Sequence, residues 1–359
     1  MTARQFLTPL LAVLVRGQPQ PPGRQFPTPL PAALLIAGSG GFLSPAHAHG
    51  PAAPATKLDK SQAGFYRLKI GSVAVTALSD GTIPLDTKIL TNTKGHPVAR
   101  LLKDGYVGTT IDASINAFLI ETAGRLILVD AGTGELYGPT LNKLPASLRA
   151  IGLEPAQITD ILLTHVHTDH SGGLMDGTTR VFPNAVIHVE RKEVDYWLSA
   201  EALAQAPESQ KQYFEQAKAK IGPYVDAGQV KPFDGAVELF PGIRSVPAPG
   251  HTPGHTFYSL ESEGEKIMFW GDVLHVAEVQ LPAPGVTNQY DVNPQEAAAA
   301  RRRAFADAAA KGYLVAPAHY SFPGVGHLRK VSDGYRFVPL PYINDALPGK
   351  KQAPVSEPR

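Results

Sequence analysis

The sequence contains no cysteine among its 359 residues. Disulfide bonds, thiolate metal ligands and cysteine nucleophiles are therefore excluded. An excess of charge of one sign is also lacking, because 33 basic and 32 acidic side chains give a formal net charge of +1. A nearly neutral chain offers no electrostatic reason to expect nucleic acid or an anionic membrane surface as a partner. Any metal site must be built from histidine and carboxylate, and 12 histidines are present.

The first fifty residues lack the pattern of a folded domain. A basic residue, Arg24, precedes an apolar stretch over residues 30–43, and an Ala-His-Ala sequence ends at Ala48. This order is typical of a secretory signal peptide over residues 1–48. A membrane anchor is the alternative, but the apolar stretch is shorter than the ~20 residues that a spanning helix needs. The sequence predicts a periplasmic or secreted protein with no stable membrane association after cleavage.

The rest of the chain reads as one folded domain between two tails. Residues 49–62, rich in proline, alanine and lysine, are predicted to be a disordered mature N-terminus, and residues 343–359 a flexible C-terminal tail. Between them, over residues 63–342, clusters of strand-like segments alternate twice with helix-like segments. This alternation predicts two sheets sandwiched between helices in one α/β domain. Residues 81–110 show no clear periodicity and are predicted to be a long loop.

Candidate helices and strands follow from apolar periodicity and from turn residues. The predicted strands cover residues 66–70, 73–78, 115–122, 125–129, 158–163, 185–189, 243–246, 255–261, 266–270 and 313–316. The predicted helices cover residues 140–151, 191–199, 204–220 and 294–311.

The residues that carry chemistry follow directly after the predicted strand at 158–163, in the segment Thr-His-Val-His-Thr-Asp-His-Ser-Gly-Gly. Alternate residues of a strand point to the same side, so His165 and His167 can hold one ion. Asp169 and His170 lie beyond the strand end, where they can reach a second ion. The two glycines at 172 and 173 allow the backbone to pass close behind the site. The segment therefore predicts a metal site rather than packing or surface histidines.

This segment resembles the His-x-His-x-Asp-His motif of the metallo-β-lactamase superfamily. Further motifs of the superfamily follow in its order: a Gly-His pair at His251, an aspartate after a strand at Asp272, and a final histidine at His319. Asp130 matches the superfamily's early Asp-Gly motif, whose aspartate supports the site without binding metal. The resemblance runs from about residue 65 to residue 339, and it implies an α/β fold of the αββα sandwich type.

The resemblance also implies a binuclear centre with two Zn²⁺ per chain. One ion would be held by His165, His167 and His251; the other by Asp169, His170 and His319; Asp272 would bridge both. Asp272 and Asp169 are the catalytic carboxylates that this implies. All ligands are hard or borderline, so Mn²⁺ or Co²⁺ would also be accepted. A water between ions ~3.5–4 Å apart can ionise near neutral pH and act as a nucleophile. His255 either supports a ligand or has a structural role at a strand start.

Four segments give a closer resemblance, to the methyl parathion hydrolase and dihydrocoumarin hydrolase group. They are residues 77–82, 136–140, 195–199 and 319–327. That group is secreted or periplasmic, zinc-dependent and typically dimeric, and its members cleave lactones, aryl esters and in some cases organophosphate triesters. The resemblance implies a substrate pocket walled by Tyr137, Trp197 and Phe214. Ordinary core packing is the alternative for these aromatic side chains.

His275 departs from the methyl parathion hydrolase pattern, which has an aliphatic residue at this position. Tyr137 likewise stands in place of a phenylalanine. Both differences make the pocket more polar, which favours a planar lactone or aryl ester over a bulky neutral triester. His275 is predicted to contact substrate, either as a hydrogen-bond donor to the ester oxygen or simply as part of the wall.

The predicted function is a binuclear zinc hydrolase of lactones or aryl esters, with organophosphate triester hydrolysis as a lesser activity. The partners are a small ester or lactone and a second copy of the chain, and no nucleic acid is expected. Alternatives are a phosphotriesterase of the methyl parathion hydrolase type and an acyl-homoserine lactonase. A non-catalytic periplasmic metal-binding scaffold is a further alternative, but a scaffold has no need of an open position between two metals.

Overall fold

The computed structural model describes residues 62–332 and 334–343. The predicted signal peptide lies outside the described residues, as do the predicted N-terminal segment before residue 62 and the predicted tail beyond residue 343. No helix in the described part is long and apolar enough to cross a membrane.

The described part of the chain contains two large sheets, two small two-stranded sheets and eight α-helices. The strands are β1 (Phe65–Ile70), β2 (Val73–Asp86), β3 (Leu90–Thr91), β4 (Thr110–Thr122), β5 (Arg125–Val129), β6 (Asp160–Leu162), β7 (Met175–Asp176), β8 (Thr179–Arg180), β9 (Val186–Glu190), β10 (Val230–Phe233), β11 (Glu238–Phe240), β12 (Ile243–Pro247), β13 (Thr256–Ser262), β14 (Glu265–Gly271), β15 (Thr287–Asn288), β16 (Leu314–Pro317), β17 (Gly326–Val331) and β18 (Gly334–Pro339). The helices are α1 (Val98–Asp104), α2 (Leu144–Ala150), α3 (Thr168–Ser171), α4 (Arg191–Trp197), α5 (Ala200–Gln205), α6 (Glu208–Asp226), α7 (Ala277–Gln280) and α8 (Pro294–Lys311).

Each large sheet has seven strands. The first sheet has the order β1-β2-β4-β5-β6-β9-β10, and its strands run antiparallel up to β5 and parallel from β5 to β10. The second has the order β11-β12-β13-β14-β16-β17-β18 and is antiparallel except for the parallel pair β14 and β16. Two small two-stranded ribbons complete the pairing. The carboxyl ends of the parallel strands β6, β14 and β16 carry most of the predicted metal ligands.

Strand alternation sorts the core into layers. Along β4, Ala117 and Leu119 pack against the helices that cover the first sheet, whereas Phe118 and Ile120 pack between the two sheets. This is the pattern of a strand that is buried on both faces. A third cluster, which includes Phe305 of α8, covers the outer face of the second sheet. The layers are therefore helices, sheet, sheet and helices, which confirms the predicted αββα sandwich.

The predicted long loop over residues 81–110 is wrong. In its place β2 continues to Asp86 and pairs with β4, and the short helix α1 follows. The register of β2 shifts between Ser79 and Gly81, and an extra residue of this kind breaks the alternation by which strands are recognised in sequence. Gly81 has φ +122°, and a Cβ there would overlap the carbonyl oxygen of Thr140. The bulge therefore requires glycine.

Helix bounds differ from the predictions at two places. The predicted helix at 140–151 begins only at Leu144, whose backbone N–H donates to the buried carboxylate of Asp80 (2.9 Å). The predicted helix at 204–220 is split into α5 and α6 at Pro207, and α6 continues to Asp226 through Pro223. Proline at the start of a helix is well tolerated, so Pro207 marks a helix boundary that periodicity alone did not place.

Candidate metal centre

The structure brings the seven predicted ligand residues together at one end of the sandwich. The chain leaves β6 and places His165 and His167 before the single turn of α3, which carries Asp169 and His170. His251 lies in the loop between β12 and β13. Asp272 directly follows β14, and His319 lies two residues after β16.

Asp272 lies between two groups of ligand atoms. The groups are His165, His167, His251 and Asp272, and Asp169, His170, Asp272 and His319; within each group the ligand atoms lie within 4.8 Å of one another. The Asp272 Oδ2 atom faces the first group, 3.2 Å from His251 Nε2 and 3.6 Å from His165 Nε2. Its Oδ1 atom faces the second group, 2.9 Å from His170 Nε2 and 3.0 Å from His319 Nε2. One carboxylate therefore reaches both groups.

The hydrogen-bonding state of these atoms tests whether metal ions fit. The buried atoms His165 Nε2, His170 Nε2, His319 Nε2 and Asp272 Oδ1 have no hydrogen-bond partner. They nevertheless approach one another closely, because their lone pairs converge on common points. Buried polar atoms without partners are costly, and a metal ion at each point would satisfy them. Nitrogen and carboxylate donors suit Zn²⁺, so the residues present fit two metal ions.

Three of the ligand imidazoles are held by a neighbour through the nitrogen that faces away from the site. His170 Nδ1 lies 2.8 Å from Asp130 Oδ2, and His251 Nδ1 lies 2.8 Å from Asp291 Oδ1. His319 Nδ1 lies 3.0 Å from the carbonyl oxygen of Ser114. Such partners fix the tautomer and leave Nε2 free to bind a metal ion. His167 is turned the other way, with its Nδ1 in the site, 3.0 Å from His251 Nε2.

Burial and charge set the protonation of the ligands. Burial lowers the pKa of His165 and His167 well below the ordinary value, and the neighbouring imidazoles lower it further. Burial also opposes protonation of His251 and His319, but nearby carboxylates outweigh it and raise the pKa of His251 to about 9 and of His319 to about 10. Protons and metal ions therefore compete for these two nitrogens.

Asp130 supports the site from behind, as the resemblance implied. Its Oδ1 accepts the backbone N–H of Thr164 (2.8 Å), and its Oδ2 faces His170 Nδ1. His255 also acts behind the ligands. Its Nε2 accepts the backbone N–H of Asp272 (3.0 Å), and its Nδ1 donates to the carbonyl oxygen of Ala248 (3.1 Å). Burial and the nearby His251 lower the pKa of His255 to about 3, so it remains neutral and holds the Asp272 backbone in place.

A cavity of about 130 Å³ opens over the ligands. The metal-facing side consists of His167, Asp169, Asp272, His275 and His319. The rest of the lining consists of aliphatic side chains, among them Ile83 and Ile115, and of three tyrosines, Tyr137, Tyr213 and Tyr290. Burial raises the pKa of all three phenols. The tyrosines therefore stay protonated at neutral pH and can donate hydrogen bonds into the cavity.

Two of the predicted pocket residues lie elsewhere. Tyr137 and His275 line the cavity, but Trp197 and Phe214 are each only 2% exposed and belong to the core beneath it. Their rings lie 4.8 Å apart, and the Trp197 ring lies 5.1 Å from that of His167. The alternative of core packing is therefore the one that the structure shows for both. On α6 the cavity is reached by Tyr213, one residue before Phe214, because neighbouring helix residues point in different directions.

His275 contacts the carboxylate that joins the two ligand groups. Its Nδ1 lies 3.2 Å from the amide nitrogen of Asn288, which can only donate, so Nε2 carries the proton. That Nε2–H points to Asp272 Oδ2 at 3.0 Å. Burial lowers the pKa of His275, and the residue is therefore a neutral donor.

Sequence reasoning missed four residues of the site. Tyr213 and Tyr290 line the cavity, Asp291 holds His251, and Glu193 lies beneath the ligand loops. None of these four residues lies in a metal-ligand motif or in one of the four segments of the closer resemblance. The aspartate one residue after Tyr290 and three before α8 offers no local signal of its role.

Comparison with known proteins identifies related chains. A sequence profile described as the Metallo-beta-lactamase superfamily matches residues 111–319. An N-acyl homoserine lactonase of Bacillus sp. is 28% identical over 175 residues, which cover 44% of this chain and 62% of the lactonase. The N-acyl homoserine lactonase AttM of Azorhizobium caulinodans is 25% identical over 205 residues, with coverage of 54% and 66%. This chain therefore spans somewhat less than two thirds of the length of these curated relatives.

Solved structures give longer matches. The hydrolase AbOPH, of the β-lactamase superfamily, is 33% identical with a TM-score of 0.75, and the match covers 79% of this chain and 100% of AbOPH. AidC, a dizinc quorum-quenching lactonase in complex with the product N-hexanoyl-L-homoserine, is 29% identical with a TM-score of 0.73. That match covers 78% of this chain and 99% of AidC.

Proposed function

We propose that this chain, which belongs to the metallo-β-lactamase superfamily, is a binuclear zinc hydrolase that opens lactones and cleaves aryl esters. The observation that carries the proposal is the convergence of seven histidine and aspartate ligands on the floor of a tyrosine-lined cavity. The similarity to N-acyl homoserine lactonases and to the dizinc lactonase AidC supports lactones as the first substrate class. Acyl-homoserine lactones are accordingly the natural lactone to test first.

Two bound zinc ions would supply Lewis-acid polarisation of an ester carbonyl and an activated water. The chain's own residues would supply position and hydrogen bonds. Asp272 contacts both ligand groups and fixes their position relative to each other. The neutral His275 holds Asp272 Oδ2, and its ring lines the cavity where an ester oxygen would lie. Tyr137 is held protonated by burial and by the Asp169 carboxylate, so it can donate to an oxygen that gains negative charge.

The polarity of the cavity favours flat substrates. Aliphatic and aromatic side chains in its lining suit the apolar part of a lactone or aryl ester. Tyr137 and His275 add polar groups to the lining, which a planar ester can use better than a bulky neutral triester. Triester hydrolysis is therefore proposed only as a lesser activity.

The direct test compares hydrolysis rates on the purified protein with and without a chelator. The substrates are dihydrocoumarin, phenyl acetate, an acyl-homoserine lactone, methyl paraoxon and nitrocefin. Fast opening of a lactone or cleavage of the aryl ester, abolished by the chelator and restored by Zn²⁺, is the expected result. Faster turnover of methyl paraoxon or nitrocefin would refute the substrate assignment. Metal binding without turnover of any substrate would favour a metal-binding scaffold.

His275→Leu is expected to raise the ratio of triester to aryl-ester hydrolysis. Leucine makes this part of the wall apolar, which favours the apolar substituents of a triester, and it removes the hydrogen bond to Asp272 Oδ2. Exchanging one polar contact for an apolar one is worth about 1 kcal/mol, so the ratio of kcat/KM values should change by about 3- to 10-fold. His96→Leu, at an exposed position, is the matched control. An unchanged ratio would remove His275 from substrate selection.

We also propose a periplasmic or secreted homodimer. The proposal rests on the signal-peptide pattern of residues 1–48 and on the resemblance to a group that is typically dimeric. Mass measurement of the mature chain after export and light scattering in solution test the two parts separately. An unprocessed chain would refute the first part, and a monomeric mass the second.

A further inference from the structure

Glu193 is a fully buried carboxylate that lies between two ligand-bearing loops. It belongs to α4 and is 0% exposed. Its Oε2 accepts the backbone N–H of Val166 at 2.9 Å, and Val166 lies between the ligands His165 and His167. Its Oε1 accepts the backbone N–H of Gly254 at 2.7 Å, three residues after the ligand His251. The first loop follows a strand of the first sheet, and the second loop joins two strands of the second sheet.

The Glu193 carboxylate accepts hydrogen bonds from N–H groups. The indole N–H of Trp197 also points to Oε2 (3.0 Å), so three N–H groups converge on one carboxylate. No lysine or arginine side chain of residues 62–332 and 334–343 forms an ion pair with it. A buried carboxylate without a cation is expensive to desolvate, and hydrogen bonds from N–H groups offset only part of that cost. An apolar side chain would fill the same space without this cost, so packing alone does not account for glutamate here.

The asymmetry of the contacts indicates what the residue does. The backbone N–H groups that bind Glu193 lie beside the three histidines of the first ligand group, because Val166 stands between His165 and His167 and Gly254 follows His251. The two histidines of the second group have other partners: Asp130 holds His170, and the Ser114 carbonyl holds His319. Trp197 extends the support, because its ring lies against His167 at 5.1 Å.

We propose that Glu193 is a positioning residue that sets the distance between the two loops of the first ligand group and thereby its metal affinity. It does not contact the reacting atoms. The inference rests on the proposed function only in that two ions bind. The competing explanation is that Glu193 contributes to folding alone, in which case its loss would weaken both ligand groups equally or neither.

The test measures Zn²⁺ affinity in two backgrounds that each leave one ligand group intact. His319→Ala retains the first group, and His251→Ala retains the second. Glu193→Gln keeps the size of the side chain but turns an amide NH₂ toward one of the N–H donors. In the His319→Ala background it is expected to weaken Zn²⁺ binding by about 10- to 100-fold, the usual effect of losing a partner behind a metal ligand. In the His251→Ala background the change should stay below about 3-fold.

Asp160→Asn is the matched control, because Asp160 is another buried carboxylate, at the start of β6 and paired with Arg125 (2.8 Å) and His188 (2.9 Å). It should leave Zn²⁺ affinity unchanged in both backgrounds. Circular dichroism of the metal-free proteins checks folding. If Glu193→Gln does not fold, Trp197→Phe removes only one donor and should weaken the first group by about 2- to 5-fold.

Equal effects on the two groups, or no effect on either, would overturn the proposal. Because no substrate is present in these titrations, failure of the lactone assay would leave this result standing. Conversely, the protein could be an active lactonase in which Glu193→Gln lowers the Zn²⁺ affinity of both ligand groups equally. That result would refute the role of Glu193 and leave the proposed function intact.

Discussion

Asp272→Ala is expected to lower kcat/KM for lactones by at least about 10³-fold and to weaken binding of both metal ions. Lewis-acid stabilisation by a metal contributes several kcal/mol to the transition state, and each 1.4 kcal/mol is a factor of ten in rate. Other ligand substitutions disturb one group of ligands. Within the described part of the chain, Asp272 is the residue shared by both groups, with one oxygen 2.9 Å from His170 and the other 3.2 Å from His251.

The charge of Asp272 also supports its role between the two ligand groups. Burial by itself would raise the pKa of Asp272, but the surrounding imidazoles, with His170 and His319 foremost, hold it well below the ordinary value. The residue is therefore an anion among histidines at neutral pH. Without it, two metal ions would lose their shared negative charge, and the imidazoles would face one another across an empty space.

The measurement combines metal content after dialysis with steady-state kinetics on the lactone preferred by the wild type. Asp272→Asn keeps the shape but not the charge, so it should retain more metal than Asp272→Ala and still lose most activity. Asp104→Ala, at an exposed position, serves as the control. Two tightly bound ions and near-normal turnover in Asp272→Ala would refute the bridging role.

Four of the ligands could be predicted from the residues alone because they lie in one short segment after a strand, whereas His251, Asp272 and His319 were predicted from the resemblance to the superfamily's motifs. A strand end followed by a turn places His165, His167, Asp169 and His170 with little freedom, so residue type and spacing were sufficient. The αββα layering followed in the same way from alternating strand and helix patterns.

The cavity wall could not be predicted in the same way. Whether Tyr213 or Phe214 reaches the cavity depends on a rotation of α6 by about one residue, or roughly 100°. Periodicity does not fix helix rotation that finely when both residues are aromatic. Asp291 and Glu193 act through contacts with residues 40 and 61 positions away, respectively, and no local pattern marks such partners. The extension of β2 was missed because the bulge at Gly81 interrupts the alternation.

Gly173→Ala is expected to destabilise the metal-free protein by about 3 kcal/mol or more, since overpacking of a rigid contact typically costs 1–3 kcal/mol and here the obstacle is backbone. A Cβ at Gly173 would overlap the carbonyl oxygen of Ala131. Backbone hydrogen bonds prevent the segments around Gly173 and Ala131 from moving apart. The Gly173 N–H donates to the Gly132 carbonyl (2.9 Å), and the Ala131 N–H donates to the His170 carbonyl (2.7 Å).

The same substitution at a second glycine provides the control. Gly108 has an ordinary backbone conformation, and the nearest atom to a Cβ there is 3.7 Å away. Gly108→Ala should therefore be neutral or stabilise the protein by up to about 1 kcal/mol, because alanine restricts the unfolded chain. In urea unfolding of the metal-free proteins, the midpoint of Gly173→Ala should fall below that of the wild type. The midpoint of Gly108→Ala should stay unchanged or rise.

The position of Gly173 links this stability effect to metal binding. The segment that it holds against residues 131–132 carries Asp169 and His170, so a shift there moves two ligands of the second group and spares the first. Gly173→Ala should therefore lose Zn²⁺ from the second group before the first, the reverse of the order expected for Glu193→Gln. A Gly173→Ala protein with wild-type stability and wild-type affinity at both groups would show that the two segments can separate without cost. The close contact between the backbone at Gly173 and residues 131–132 would then not be needed to form the metal centre.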